Sequence, residues 1–303
     1  MMNTSKAIIT LIRLPNLVFI FLTQLLVYYF IIQPAVVATG KVPTLHPVYA
    51  LILSFSTVLI ATAGYMINDY FDIGIDAINK PDRVTIEKIF KRRTIIFWHV
   101  LLNIIGLALA SYIAFQILLL RFALIQLLCI VLLVFYSTTF KRKLIIGNFV
   151  ISILSALTLV TMAVYEPNFE LFNIHFKHSK LLWMYVCFSF LITFIREVIK
   201  DIEDVKGDTV QNCQTIPLVW GILTAKKISY FLLLLLAVLL VVMDIYFFSF
   251  NKVLVFFLSV SVLLFILLIS RKIFKATISI EFHQISTYIK VVTLFGILSM
   301  ILI

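Results

Sequence analysis

Nine apolar runs divide the chain almost from end to end, at roughly residues 14–35, 47–69, 95–114, 117–136, 146–165, 181–199, 229–249, 252–270 and 287–303. Each is about 20 residues long, the length that crosses the hydrocarbon core of a bilayer as a helix. Of the 303 residues 63% are hydrophobic and only 13% charged, and the mean hydropathy is +1.13. A soluble domain needs far more polar surface, so the bilayer is the solvent here. The pattern predicts an all-α, polytopic membrane protein with nine transmembrane helices. The first run begins after Lys6 and Arg13 and is too long for a signal-peptide core, so it is expected to be a retained helix. No Gly/Ser-rich or Pro-rich linker interrupts the chain, and residues 1–303 are read as one domain.

The formal charge of +11 raises the prospect of a nucleic-acid partner, but its placement argues against one. With nine spans and an inside N-terminus, residues 1–13, 70–94, 137–145, 200–228 and 271–286 share one side. Counting Arg196 and Lys290 at adjoining helix ends, that side holds 20 of the 25 Lys and Arg residues. This is the positive-inside bias, which orients the chain N-in and C-out. A basic cytoplasmic face also attracts anionic membrane lipids. The expected location is the cell (inner, cytoplasmic) membrane, with no nucleic-acid partner.

Cys129, Cys187 and Cys213 lie in separate segments without CxxC spacing, and five scattered histidines offer no metal site. The acidic residues are not scattered. Residues 70–94 with Asp69, and residues 200–228, together hold nine of the 14 Asp and Glu. Asp69, Asp72 and Asp76 are spaced i, i+3, i+7 at the end of the second span, and Asp201, Asp204 and Asp208 repeat that spacing after the sixth. On a continuous helix each set shares one face. Like charges on one face repel, and proximity to hydrocarbon adds a desolvation cost, so a cation is expected to offset them. Magnesium suits the pattern, because it takes one or two carboxylates per ion and completes its shell with water and phosphate oxygens. Basic residues sit beside both stripes: Lys80 and Arg83; Lys141, Arg142 and Lys143; Arg196 and Lys200. Such clusters are often no more than solvated helix ends making weak surface pairs. Two matched stripes on one side, with few acids elsewhere, weigh against that reading.

The string Asn68-Asp69-Tyr-Phe-Asp72-Ile-Gly-Ile-Asp76 resembles the N-D-x-x-D-x-x-x-D signature of the UbiA superfamily of intramembrane prenyltransferases. The string from Asp201 to Asp208 resembles its second Asp motif, and Arg13-Leu-Pro-Asn16 resembles its Arg-Pro-x-Asn string at the start of the first span. The resemblance implies nine helices around a central cavity. It implies that Asp69, Asp72, Asp76, Asp201, Asp204 and Asp208 bind two Mg2+ ions bridging an isoprenyl diphosphate donor. Asn68 would support the first metal cluster and Asn16 would face the same cavity. Arg83, Lys141 and Lys200 would hold the diphosphate. Tyr136-Ser-Thr-Thr-Phe-Lys141 is one residue longer than the family's Tyr-x-x-x-Lys motif, and would place Tyr136 beside Lys141. Ionisation would leave an allylic carbocation for a membrane-embedded acceptor to attack.

Acceptors in the superfamily are chemically diverse. The string from Arg196 to Asp208, followed by Gln214-Thr215-Ile216-Pro217, most resembles the group that adds a second geranylgeranyl chain to geranylgeranylglyceryl phosphate. An aromatic acceptor of quinone biosynthesis, such as 4-hydroxybenzoate or dihydroxynaphthoate, is the alternative. A cation transporter is the alternative of another class. It would place acids deep within spans, and Asp244 is the only acid well inside an apolar run.

Overall fold

Proline and a left-handed turn set the first span. Arg13 takes φ 53° and ψ 50° ahead of Pro15, and a helix starts at once, because proline is pre-organised for a first helical turn. Pro34 then falls within the same span. Its missing N–H and its ring, which crowds the carbonyl four residues back, are accommodated by a widened π-helical turn at Val27–Ile32.

The computed structural model describes residues 4–79, 85–173, 175–247, 252–257, 260 and 262–303. Its helices are α1 (Thr4–Leu11), α2 (Leu14–Leu26), α3 (Gln33–Ala38), α4 (Pro47–Asn79), α5 (Arg92–Gln116), α6 (Ala123–Thr138) and α7 (Ile146–Val164). They continue with α8 (Lys177–Glu203), α9 (Val205–Val210), α10 (Ile216–Val219), α11 (Ile222–Phe247), α12 (Lys252–Phe257), α13 (Leu263–Lys275) and α14 (Ser279–Leu298). Among the described residues there is no strand, only an isolated bridge between Ile86 and Phe90. The chain is an integral membrane protein, helical throughout its regular structure among the described residues, where eight helical segments are long and apolar enough to cross a bilayer. The first of these runs from α2 through the π turn to α3. The eighth apolar run, 252–270, contains α12 and part of α13, and residues 258, 259 and 261 between them lie outside the described residues.

Several helices extend past the apolar runs that announce them. α4 continues ten residues beyond 69, α8 begins at Lys177 instead of 181 and ends at Glu203 instead of 199, and α14 begins at Ser279 instead of 287. Helical hydrogen bonding is internal to the backbone, so polar side chains can continue a helix into water. Apolar runs therefore mark membrane depth and understate helix length.

α8 lies at the centre of the bundle and packs against α7, α11 and α14. Leu181, Leu182, Ile195, Val198 and Ile199 on it are fully buried. Polar side chains within the spans are tied locally or across helices, as hydrocarbon requires. Ser54 and Ser229 return their hydroxyls to carbonyls four residues back. Between helices, Ser56 donates to the Gly106 carbonyl at 2.6 Å, Gln24 to the Thr158 carbonyl at 2.9 Å and Gln126 to Thr57 at 3.1 Å.

At the end of the bundle where α4 begins and α7 finishes, one buried carboxylate joins two loops. Glu166 is 1% exposed and accepts from the Leu45 amide at 2.8 Å and the Asn168 amide at 3.1 Å. The Leu45 carbonyl in turn accepts from the Tyr28 hydroxyl at 2.5 Å. Glu166→Ala would strand the buried Leu45 amide and is expected to destabilise the fold by about 1–3 kcal/mol. Glu166→Gln, which keeps an acceptor in place, is expected to cost less. Thermal unfolding in detergent compares the two; equal midpoints for both variants and the wild type would contradict this role.

Candidate active site

α4 has 33 residues, about 50 Å at 1.5 Å per residue, against a hydrocarbon core of about 30 Å. Its surplus length carries Asp72 and Asp76 past the apolar run 47–69, at whose end Asn68 and Asp69 stand. Asp69 meets Arg13, whose Nη2 donates to Oδ1 at 2.6 Å while its guanidinium lies 5.0 Å from the centre of the Tyr65 ring. The left-handed backbone of Arg13, uncommon outside glycine, turns α1 into α2 and lays that side chain against α4. Asp72 is almost fully buried. Its Oδ2 accepts from Asn68 Nδ2 at 2.6 Å and from the Lys141 ammonium.

Lys141 stands on a short 3₁₀ turn, Phe140–Arg142, between α6 and α7. Gly147 makes that position possible. A Cβ there would fall 2.9 Å from the Lys141 Cα and 3.0 Å from the Phe140 carbonyl oxygen, so only glycine lets the first turn of α7 lie against this backbone. Burial alone would lower the Lys141 pKa, but the adjoining Asp72 carboxylate outweighs it and holds the value well above the ordinary lysine range. Arg13 is likewise held above its ordinary value by Asp69 despite its burial. Both cations stay charged at any physiological pH.

The second Asp stripe does not lie on one unbroken helix. α8 ends at Glu203, Asp204 occupies the junction with φ −96° and ψ 6°, and α9 follows. The i→i−4 ladder lapses there: it ends with the Asp204 amide on the Lys200 carbonyl at 2.9 Å and resumes with the Asp208 amide on the Asp204 carbonyl at 3.1 Å, and between them the Gly207 amide donates to the Asn79 side chain. The three Asp residues nevertheless line the same cleft. Asp201 accepts from Asn148 Nδ2 of α7 at 2.7 Å.

Asn79, the last residue of α4, fastens the two stripes together. Its Nδ2 donates to the Asp204 carbonyl and its Oδ1 accepts from the Gly207 amide, both at 2.9 Å. A Cβ at Gly207 would lie 2.5 Å from the Asn79 Nδ2, so glycine is needed for this approach.

The result is one open cleft of about 560 Å³, its mouth included, lined by residues of α4, α6, α7, α8 and α9 and of the turns beside them. Of the residues singled out in the sequence, Asp76, Tyr136, Lys141, Lys200, Asp201, Asp204 and Asp208 line it. Asn68, Asp69 and Asp72 lie on the same α4 end, bound to each other or to Arg13 and Lys141. Asn16 sits half-buried on the first turn of α2, and among the described residues its side chain makes no hydrogen bond to this cluster. Arg83 lies outside the described residues.

Five residues bear on the cleft that motif spacing did not single out as site residues: Arg13, Asn79, Asn148, Glu197 and Thr215. Arg13 was visible in the Arg-Leu-Pro-Asn string. Asn148 is a lone amide at the start of an apolar run. Glu197 accepts from Lys200 at 2.9 Å and from Arg196 at 3.3 Å. Cys213 also lines the cleft, and burial raises the pKa of its thiol, so it stays protonated there.

Among the described residues, no three His, Cys, Asp or Glu side chains form a ready-made chelate. The donor set nevertheless fits magnesium, which uses few carboxylates and relies on water and substrate phosphate oxygens. All the candidate donors are oxygens. Within this cluster seven carboxylates (Asp69, Asp72, Asp76, Glu197, Asp201, Asp204, Asp208) face four cations (Arg13, Lys141, Arg196, Lys200), a formal charge of −3. An anionic substrate would need further positive charge before it could enter.

A profile of the UbiA prenyltransferase family matches residues 24–279. The digeranylgeranylglyceryl phosphate synthase of Methanosphaera stadtmanae is 31% identical over 193 residues, covering 63% of this chain and 65% of that protein. The match thus spans just under two thirds of the relative's length. Among solved structures, the apo UbiA homologue from Aeropyrum pernix K1 has a TM-score of 0.67 at 16% identity, covering 98% of both chains. A UbiA homologue from Archaeoglobus fulgidus bound to GPP and Mg2+ has a TM-score of 0.59 at 13% identity, covering 97% of this chain and 99% of that one. At these identities the likeness establishes the fold.

Removing the Asn79 amide should separate the stripes without touching a carboxylate. Asn79→Ala is expected to destabilise the fold by about 1–3 kcal/mol through its two lost bonds. It should also weaken Mg2+-dependent binding of a prenyl diphosphate. Thermal unfolding with and without Mg2+ and the diphosphate checks both effects; a ligand-induced rise in midpoint equal to the wild type's would contradict the fastening role.

Proposed function

This chain belongs to the UbiA prenyltransferase family, and from that premise we propose that it transfers a geranylgeranyl group from its diphosphate to geranylgeranylglyceryl phosphate. The observation that carries the proposal is the convergence of Asp76 from one stripe and Asp201, Asp204 and Asp208 from the other on a single cleft that Lys141 and Lys200 also line. The name of the Methanosphaera stadtmanae relative supports the ether-lipid acceptor, and the GPP and Mg2+ bound by the Archaeoglobus fulgidus homologue support the donor and the metal.

In this reading Asp69, Asp72 and Asp76, with Asp201, Asp204 and Asp208, hold two Mg2+ ions together with the donor diphosphate. The metal, when bound, neutralises charge on the departing pyrophosphate as a Lewis acid. Lys141 meets the diphosphate from the first stripe as a point charge, Arg83 is assigned to the same anion, and Asn68 steadies Asp72. Arg13 holds Asp69 and Asn148 holds Asp201, so that both carboxylates keep their orientation. Asn16 is assigned to the cavity beside α2. Tyr136 presents its ring and hydroxyl beside Lys141, where an aromatic face can stabilise positive charge developing on the allylic carbon. The C1–O bond of the donor breaks with its electron pair going to the diphosphate. The acceptor hydroxyl oxygen bonds to C1, and in the overall balance its proton leaves with the pyrophosphate.

The whole chain acts as one domain with nine spans, N-in and C-out, in the cytoplasmic membrane. The placement of 20 of the 25 basic residues supports that orientation and, with it, a cleft on the cytoplasmic side. The ends of α4 and α8 that carry the stripes then face the donor's aqueous source, while the prenyl chains lie in the lipid.

Membranes carrying the full chain, given radiolabelled geranylgeranyl diphosphate, Mg2+ and geranylgeranylglyceryl phosphate, are expected to yield a doubly prenylated phospholipid by mass spectrometry. Removing Mg2+ should abolish product, and Asp72→Asn or Asp204→Asn should each lower the rate at least about 100-fold, as expected for loss of transition-state charge stabilisation. Product from 4-hydroxybenzoate or dihydroxynaphthoate alone would replace the acceptor. No product with any acceptor, and cation flux altered by the same substitutions, would overturn the enzyme reading.

A further inference from the structure

The wall of the cleft formed by α8 and by the chain entering α10 carries Lys200, which the resemblance assigns to the donor diphosphate, and a hydroxyl to which the prenyl transfer just described gives no task. Thr215 occupies the cap position before α10, where a Thr hydroxyl ordinarily accepts from the helix amides. Here it does not. Thr215 is 5% exposed, its Oγ1 has no hydrogen-bond partner among the described residues, and it lines the cleft. A buried hydroxyl without a partner costs stability unless something else occupies it in the working protein.

Lys200 lines the same cleft and differs from Lys141 in what holds it. Lys141 is bound to Asp72, a member of an Asp stripe. Lys200 donates to both oxygens of Glu197, at 2.9 and 3.2 Å, and Glu197 belongs to neither stripe. Glu197 is itself buried, and it also receives Arg196 Nη1 at 3.3 Å, so it has a second cation if Lys200 turns away. The Arg196 Nε is buried without a partner. The donor diphosphate already has Lys141 and the two stripes. The acceptor in the reading above carries its own phosphate, which enters the same cleft and must be met by donors of hydrogen bonds and positive charge.

Building on that reading, we propose that Lys200 and the Thr215 hydroxyl form the subsite for the acceptor's phosphomonoester, with Glu197 as the positioning residue that holds Lys200 ready for it. The subsite selects a phosphorylated glycerol lipid over a neutral alcohol or an aromatic ring, while the donor is held by the Asp stripes and Lys141.

The test is steady-state kinetics of the full chain in detergent–lipid micelles with geranylgeranyl diphosphate and Mg2+, comparing geranylgeranylglyceryl phosphate with its dephosphorylated alcohol. Wild type should strongly prefer the phosphorylated acceptor. Lys200→Met should raise the KM for that acceptor at least about tenfold and Thr215→Val about threefold, as for a charged and a neutral hydrogen bond. Both should shrink the preference over the alcohol while the donor KM stays within about twofold. Lys200→Arg should restore most of the affinity. Glu197→Gln should raise the acceptor KM and not the donor KM, a split that a general loss of structure would not produce. Thr215→Val is nearly isosteric, so it reads binding even where a change at Lys200 impairs folding. A rise in the donor KM in place of the acceptor KM would assign Lys200 to the diphosphate and overturn the proposal. So would an unchanged preference in both Lys200→Met and Thr215→Val, with wild type still making the ether lipid; in that case the ether-lipid reading stands. If wild type accepts only an aromatic ring, both fall together.

Discussion

Mutual repulsion among seven carboxylates gathered at the edge of a bilayer is the constraint on which the site depends. Charges so close together, beside a low-dielectric slab, raise one another's energy unless cations and hydrogen bonds hold them. The protein supplies part of what is needed: Arg13 on Asp69, Lys141 and Asn68 on Asp72, Asn148 on Asp201, and Lys200 with Arg196 on Glu197. The formal balance stops short of neutrality, and in the proposed reading the remaining negative charge favours a cation in the cleft before a phosphate. A site that were already neutral would bind metal weakly and gain little when the diphosphate arrived.

Helix length delivers these groups. The bilayer fixes how much of α4 and α8 must be apolar, and the surplus at their ends is free to carry charge. Because the two helices end on the same side, their stripes meet. The Asn79 amide then converts proximity into a fixed spacing by bonding the backbone on both sides of Asp204 and Gly207. At the other end of the bundle Glu166, Leu45 and Tyr28 close the corresponding loops. The bundle is thus fastened at both faces, while its middle relies on apolar packing around α8 and on locally satisfied hydroxyls.

Much of this was legible in the sequence, and what was missed has physical reasons. Hydropathy alone located the eight helices of membrane-crossing length found among the described residues, because lipid tolerates no unsatisfied backbone, while the ninth expected span, 252–270, holds only α12 and part of α13 there. It misjudged their ends, as at Asn79 and Ser279, because polar residues continue a helix without a hydropathic signal. The i, i+3, i+7 spacing found both Asp stripes. It could not show that the helix is interrupted at Asp204, because the side chain that takes over the Gly207 amide there, Asn79, lies 128 positions earlier in the sequence. Single amides such as Asn79 and Asn148 have no periodicity, so only their three-dimensional partners reveal them. Thr215 stood in the sequence only as a member of the Gln214-Thr215-Ile216-Pro217 string, and its unpartnered hydroxyl became visible only once the cleft was built.

Divalent-ion binding tests most directly that the two stripes form one site. Mn2+ can replace Mg2+ and be counted by electron paramagnetic resonance on the purified full chain, with and without an unreactive prenyl thiodiphosphate. Two ions bound tightly only in the presence of the diphosphate analogue are expected, with Asp72→Asn and Asp204→Asn each lowering the occupancy of the pair. Tight binding without the analogue, or full occupancy after loss of either stripe, would contradict a single metal–diphosphate site shared between them.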